Sequence, residues 1–113
     1  MASVKLVVLY PRPTDIETFE KRYLNEHIPM AVKKLPGKTK IVATKVISSP
    51  EGTPAYHRIA EVHFPSMEAL QACTASEGAK ETVAHAAAIS TGGPLIVLIA
   101  EEETLTFAQK AAT

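Results

Sequence analysis

His27 is a residue that could act as an acid or a base on a bound molecule. It belongs to a helical stripe at steps of three or four residues: Ile16, Phe19, Tyr23, His27 and Met30. An imidazole titrates near neutral pH and can give or take a proton. The same position also suits a structural histidine bonded to a backbone carbonyl. The backbone carbonyl of Asn25 is one candidate, because Pro29 lacks the N–H that would donate to it in a regular helix.

Two tyrosines can reach the same place. Tyr10 ends an apolar segment, so its hydroxyl can lie at the mouth of a pocket, and Tyr23 precedes His27 by one helical turn. A phenol and an imidazole together can polarise or protonate a carbonyl or ether oxygen. His27 and Tyr10 are therefore the predicted catalytic residues. The predicted substrate-binding residues are Tyr23, Phe19 and Phe64. The alternative for both tyrosines is core packing with a hydrated hydroxyl.

Three more polar residues, His57, Glu61 and His63, alternate along one predicted strand and would share one of its faces. Residues two apart on a strand are separated by roughly 7 Å, so a common metal would require converging side chains. We expect a polar cluster at a subunit interface instead. The sequence predicts no metal and no cofactor.

Other candidate groups have structural interpretations. His85 follows Glu81 by four residues, a spacing typical of a solvated pair on a helix surface. Cys73 has no basic neighbour in the sequence and is expected to be an inert core thiol. Gly92 and Gly93 precede a predicted strand, whereas phosphate-binding and dinucleotide-binding loops connect a strand to a following helix.

The elements that would position these side chains follow the order β-α-β-β-α-β. The predicted strands are residues 4–10, 39–47, 56–64 and 95–100. The first helix begins at a capping box formed by Thr14 and Glu17, is interrupted at Pro29 and ends at Pro36-Gly37. The second helical region comprises residues 67–75, capped by Ser66, and a piece capped by Ser76 that extends through Ala88. This order predicts a ferredoxin-like α+β fold with an antiparallel sheet.

Composition narrows the function classes. The chain has 113 residues and a formal net charge of zero, which fits one domain over residues 1–113 and disfavours nucleic-acid binding through bulk electrostatics. The first apolar run is too short to span a membrane and has no signal cleavage site, so we expect a cytoplasmic protein without membrane contact. The first and last strands are apolar on both faces, which predicts a homodimer.

Four segments, taken in order, resemble the EthD family, named for ethyl tert-butyl ether degradation. They are VKLVVLYPRP, YLNEHIPMAVKKLPG, YHRIAEVHFPSMEAL and SEGAKETVAH…STGGP. The most specific element is Glu26-His27-Ile28-Pro29, followed by Leu35-Pro36-Gly37. Two positions depart from the family pattern. His85 stands in place of an acidic residue, and Ile89 in place of an aromatic one.

The resemblance implies a dimeric α+β barrel, in which two ferredoxin-like chains pack sheet to sheet as a homodimer. It also implies a role in the catabolism of ethers or other hydrophobic small molecules, beside a haem-thiolate monooxygenase system. Superfamily relatives include polyketide cyclases, isomerases, monooxygenases and haem enzymes, and a fold does not choose among reactions. Three hypotheses follow: an enzyme such as a lyase, isomerase or cyclase, a non-catalytic small-molecule binder, and a structural dimer accessory to an oxygenase.

Overall fold

The computed structural model describes residues 3–108 of the chain. Four strands form one sheet: β1 (Ser3–Pro11), β2 (Lys40–Lys45), β3 (Tyr56–Phe64) and β4 (Ile96–Glu102). The strand order is β2-β3-β1-β4, and every neighbouring pair is antiparallel. This topology confirms the predicted ferredoxin-like α+β fold.

The helical segments are α1 (Ile16–Arg22), a π-helical turn (Tyr23–His27), α2 (Ile28–Lys34), α3 (Met67–Thr74) and α4 (Glu77–Ile89). Within residues 3–108, none of them is long and apolar enough to cross a bilayer. Ser66 and Ser76 cap α3 and α4 as predicted. The first helix has a different cap, because Asp15 rather than Thr14 accepts a hydrogen bond from the Thr18 N–H at 3.1 Å.

The predicted interruption at Pro29 takes the form of the π-helical turn that precedes it. Proline has no N–H to donate to the carbonyl of Asn25. The N–H of Ile28 donates to the carbonyl of Tyr23, five residues back, instead of the usual four. Such a wider turn changes the direction of its side chains and is frequent at functional sites. Here both of its ends, Tyr23 and His27, are buried.

Two clusters of buried side chains fill the space between the sheet and the helices. The tyrosine cluster contains Tyr10, Phe19, Tyr23, Ala60, Ala86 and Ile89. The Phe64 cluster contains Ala31, Leu35, Val62, Phe64, Leu70, Cys73 and Ala79. The predicted burial of Cys73 is confirmed, and this burial raises the pKa of its thiol.

The opposite side of the sheet carries apolar side chains that are only partly buried within one chain. Val7 is half-buried and is paired with Leu98 of β4, which is 48% exposed. Leu9 and Ile59 are half-buried and lie directly opposite each other on β1 and β3. We call the surface formed by Val7, Leu9, Ile59 and Leu98 the open face. An apolar surface of this kind on a sheet is typical of a contact with another protein chain.

A glycine sets the distance between α2 and α4. A methyl group at Gly78, in the first turn of α4, would collide with the backbone carbonyl of Lys34 at the end of α2. The absence of a side chain therefore lets the two helices approach closely. This approach matters for the site, because His27 immediately precedes α2 and His85 lies on α4.

We predict that Gly78→Ala destabilises the chain by about 1–3 kcal/mol, since overpacking of a tight contact outweighs the helix propensity that alanine adds. Urea unfolding followed by circular dichroism measures this change. Glu77→Ala is the control, because the Glu77 side chain is 86% exposed in the same helical turn. Its effect should stay within about 0.5 kcal/mol. A Gly78→Ala chain as stable as the wild type would contradict the close approach.

Candidate functional site

A cavity of about 490 Å³ lies between the sheet and the helices, and both core clusters contribute to its wall. Leu6, Val8, Ala60 and Val62 line it from the sheet, and Ala31, Val83 and Ala86 line it from the helices. Its volume and its mostly apolar wall fall within the range that is typical of small-molecule sites in other proteins. Tyr10 and His27 bring polar atoms to this wall.

The structure brings the two predicted catalytic residues together. Tyr10 comes from the end of β1 and His27 from the π-helical turn, and 3.0 Å separates the Tyr10 Oη from the His27 Nε2. Both side chains are buried, with exposures of 1% and 6%. The sequence placed these two residues at one pocket, but whether they are catalytic stays a prediction.

The hydrogen-bond chain continues beyond His27 through two residues that the sequence did not assign to the site. The Nδ1 atoms of His27 and His85 are 3.0 Å apart, and the planes of the two rings are nearly parallel. The Nε2 of His85 is 3.1 Å from Oε1 of Glu26, whose side chain is half exposed. The four side chains therefore connect the cavity with the protein surface.

The predicted pair of His85 with Glu81 is wrong. His85 bonds to His27 and Glu26, whereas Glu81 bonds to Lys34 on α2. The close packing of α4 against the π-helical turn offers His85 these partners, and such contacts outweigh a surface pair worth a few tenths of a kcal/mol. No local signal in the sequence indicates them, because they are 58 and 59 positions away along the chain.

Burial makes Tyr10 and His27 an uncharged pair near neutral pH. Desolvation, with a smaller contribution from the neighbouring His85, lowers the pKa of His27 to about 4. Desolvation raises the pKa of the Tyr10 hydroxyl above its ordinary value. A neutral imidazole and a neutral phenol can exchange hydrogen bonds or a proton with a ligand without a fixed charge in the cavity.

The predicted substrate-binding residues occupy different places. Tyr23 lines the cavity, and its ring lies 5.5 Å from that of Tyr10 in an edge-on arrangement. Its buried hydroxyl has no hydrogen-bond partner among the described residues. Phe19 stacks on Tyr23 in the tyrosine cluster, and Phe64 lies in the second core cluster. Neither phenylalanine belongs to the cavity wall.

An ion cluster at one end of the tyrosine cluster was not evident from the sequence. Glu20 of α1 accepts hydrogen bonds from the Arg58 guanidinium at 2.6 and 2.9 Å and lies 2.9 Å from His57 Nε2. Arg58 lowers the pKa of Glu20 to about 2 and lies over the ring of Tyr23, at 4.8 Å. These contacts tie α1 to the sheet beside the cavity.

The expectation that His57 shares a face with Glu61 and His63 is wrong. Tyr10 pairs with Arg58, but the next residue of β1 pairs with Tyr56, so β3 has one extra residue at His57. A bulge of this kind breaks the alternation of side chains. His57 consequently packs against Phe19 and Glu20 of α1.

The rest of that polar group lies elsewhere on the sheet. Glu61, His63 and Glu102 have ligand atoms within 4.8 Å of one another, a spacing that could suit a cation. The ammonium group of Lys5 bonds to both carboxylates, at 3.0 Å for Glu102, and so supplies positive charge there. The absence of a bound metal stays a prediction.

Comparisons with known proteins agree with this architecture. A family model described as the EthD domain matches residues 11–88. An EthD family protein from Bacillus halodurans C-125 superposes with a TM-score of 0.83 at 30% identity, covering 91% of this chain and 100% of that chain. No curated protein gives a significant match.

More distant solved structures share the fold. An EthD-like protein from Ralstonia eutropha JMP134 has a TM-score of 0.68 at 20% identity, over 88% of this chain and 91% of that chain. A dimeric ferredoxin-like protein of unknown function from Jannaschia sp. CCS1 has a TM-score of 0.62 at 16% identity, over 92% and 100%.

We predict that His27 makes the chain less stable as the pH falls from 6.5 to 4.5. The pKa of His27 is about 4 in the folded chain, below its ordinary 6.5, so the unfolded chain takes up the proton first. The resulting decrease in the free energy of unfolding starts near pH 6.5 and is complete near pH 4. Between pH 6.5 and 4.5 the free energy of unfolding should fall by roughly 2 kcal/mol.

The measurement is urea unfolding at several pH values for the wild type and His27→Gln, whose amide does not titrate. The pKa of Glu20 is lowered from 4.5 to about 2, so its contribution is lost mainly below this window and is the same in both chains. As the pH falls from 6.5 to 4.5, the free energy of unfolding should therefore decrease more for the wild type than for His27→Gln. Parallel pH profiles would show that His27 titrates normally.

Proposed function

The chain belongs to the EthD family, and on that premise we propose that it binds a small hydrophobic molecule with one oxygen function in the cavity beside Tyr10 and His27. An ether, a phenol or a cyclic ketone has this chemistry. The two side chains exchange a proton with the bound molecule. The observation that carries the proposal is the hydrogen-bonded Tyr10–His27 pair at the wall of an otherwise mostly apolar cavity.

The apolar wall favours a ligand that loses little hydration on binding. A cavity of about 490 Å³ falls within the usual range for small-molecule sites, roughly 300–1,000 Å³. A cationic ligand would have to give up its water with no carboxylate among the described residues that line the cavity, which is strongly unfavourable. Polar recognition is limited to a few groups, as expected for a ligand with a single oxygen.

The chemistry open to this pair is proton transfer. Tyr10 has a single O–H proton, which it can donate either to a carbonyl or ether oxygen of the ligand or to Nε2 of His27. In the second case the Tyr10 oxygen accepts from the ligand, and the His27 imidazole can accept a proton through it. Isomerisation, cyclisation and elimination are reactions whose bond changes can be catalysed by proton transfer without a further cofactor. These are the reaction classes that we propose for an EthD-like enzyme in the catabolism of ethers or related molecules.

A second candidate is a non-catalytic binder that serves a partner monooxygenase system. It is supported by the 3.0 Å contact between Tyr10 and His27, because each already satisfies the other without a ligand. In that case the pair orients a ligand oxygen and transfers no proton. The two candidates differ in whether His27→Gln, which keeps one hydrogen bond, preserves turnover.

We predict that Ala60→Leu weakens binding of phenol, cyclohexanone or a small dialkyl ether at least tenfold, because the larger side chain fills the cavity from the sheet. The measurement is a titration monitored by the imidazole NMR signals of His27. Ala43→Leu is the control, since Ala43 is the exposed cross-strand partner of Ala60 and lies outside the cavity wall.

Equal effects of the two leucine variants would contradict binding in this cavity. If a probe binds and is also converted, His27→Gln should abolish the conversion while the chain remains folded. A stable and fully active His27→Gln variant would exclude acid–base chemistry at His27 and favour the non-catalytic binder.

We also propose that the chain forms a homodimer in which the open faces of two copies pack together, as in a dimeric α+β barrel. The Jannaschia protein, which shares this fold, is dimeric. Pairing would bury the half-buried Val7, Leu9 and Ile59 and the exposed Leu98. The two-fold axis would bring the Lys5–Glu61–Glu102 cluster of each copy to the same interface.

We predict that Ile59→Lys dissociates this dimer, because an unpaired charge would be buried at the contact. A cost of roughly 3 kcal/mol corresponds to about a hundredfold increase in the dimer Kd. Analytical ultracentrifugation measures the change. Val32→Lys is the control, since Val32 is 56% exposed on α2, on the helical side. A wild type that sediments as a compact monomer at micromolar concentration would overturn the dimer.

A further inference from the structure

The hydrogen bonds from Tyr10 to Glu26 have only one consistent direction when the three inner side chains are neutral. A carboxylate only accepts, so the Nε2–H of His85 donates to Glu26. The Nδ1 of neutral His85 then accepts from the Nδ1–H of His27. The Nε2 of His27 is left as an acceptor, and Tyr10 donates its O–H to it.

We propose that Tyr10, His27 and His85 form a proton relay in which a proton taken from the bound molecule comes to rest on His85, with Glu26 as the positioning residue that sets the direction. This inference rests on the proposed function, since it names the route of a proton exchanged in the cavity. It assigns roles to His85 and Glu26, which lie outside the Tyr10–His27 pair.

The transfer balances without an oxidant or a metal. An O–H bond, or an acidic C–H bond, of the bound molecule breaks, and its proton bonds to the Tyr10 oxygen. The hydroxyl proton of Tyr10 moves to Nε2 of His27, and the Nδ1 proton of His27 moves to Nδ1 of His85. The bound molecule keeps the electron pair as an anion, and His85 becomes an imidazolium beside the Glu26 carboxylate.

The groups around the two imidazoles explain why the positive charge rests on His85 and not on His27. The titratable groups that face His27 are Tyr10 from β1, Tyr23 from its own turn and His85 from α4, none of which is an anion near neutral pH. His85 is 16% exposed and touches a carboxylate, Glu26, which also pairs with Arg22. A positive charge is therefore hydrated and paired at His85, whereas at His27 it would be buried and unpaired.

The test of direction needs no ligand. Nitrogen-15 NMR of the histidine rings distinguishes protonated from unprotonated ring nitrogens in neutral buffer. We expect opposite tautomers, Nδ1–H in His27 and Nε2–H in His85. In free histidine the Nε2–H form is the more populated one, so the expected state of His27 is not the default. A wild-type His27 in the Nε2–H form would overturn the proposal.

Glu26→Gln tests the positioning role, and the chain should stay folded because the Glu26 side chain is half exposed. An amide can donate as well as accept, so the reversed chain becomes available, in which His27 carries Nε2–H and donates to Tyr10. The His27 signals should shift toward that form. Glu81→Gln is the control, because Glu81 precedes His85 by one helical turn without bonding to it. Unchanged signals in Glu26→Gln would contradict the role of Glu26.

The final measurement adds para-nitrophenol, which turns yellow when it loses its proton. We expect the wild type to bind it as the yellow phenolate, with both ring nitrogens of His85 protonated and His27 still neutral. A bound phenolate with the proton on His27 would overturn the relay. If the probe does not bind, that result counts against the proposed function for phenols, whereas the tautomers measured without ligand still decide the direction of the relay.

Discussion

The hydrogen bond between Tyr10 and His27 is the interaction on which the organisation of the site depends. It joins the end of the central strand β1 to the π-helical turn, across the space between the sheet and the helices. Each partner is almost fully buried, so the loss of either one would leave a buried polar group without its hydrogen bond, at a cost of about 1–3 kcal/mol. The bond therefore holds the helix on the sheet and also presents a hydrogen-bonded phenol and imidazole at the cavity wall.

Two backbone constraints make this bond geometrically available. Pro29 cannot continue the regular hydrogen bonds of the helix, and the wider turn before it directs both Tyr23 and His27 inward. Gly78 allows α4 to approach the carbonyl of Lys34, which brings His85 to His27. Pro29, which has no N–H, and Gly78, which has no side chain, thus determine where the imidazoles of His27 and His85 meet. Neither residue lines the cavity.

Charge is distributed so that the cavity itself remains apolar. The Glu20–Arg58 pair, with His57, holds α1 at one end of the tyrosine cluster, and Lys5 gathers carboxylates on the sheet. Each carboxylate in these groups has a basic partner. A low local dielectric strengthens the interactions of the neutral Tyr10 and His27, and it also penalises a positive charge on His27, whose hydrogen-bond partners Tyr10 and His85 include no carboxylate. This penalty explains why the pKa of His27 lies near 4.

Much of this protein could be read from its sequence, because the relevant signals are local. Alternating and apolar runs identified four strands, serine caps marked α3 and α4, and the stripe through Phe19, Tyr23 and His27 indicated which helical face turns inward. The motif around His27 indicated the EthD family.

Whatever depends on contacts between distant segments was settled only by the tertiary structure. A one-residue bulge moved His57 to the helical side, and the packing of α4 gave His85 the partners His27 and Glu26 in place of Glu81. The physical reason is that register and helix approach are set by the summed packing of the core, which outweighs the weak preferences of residues a turn apart.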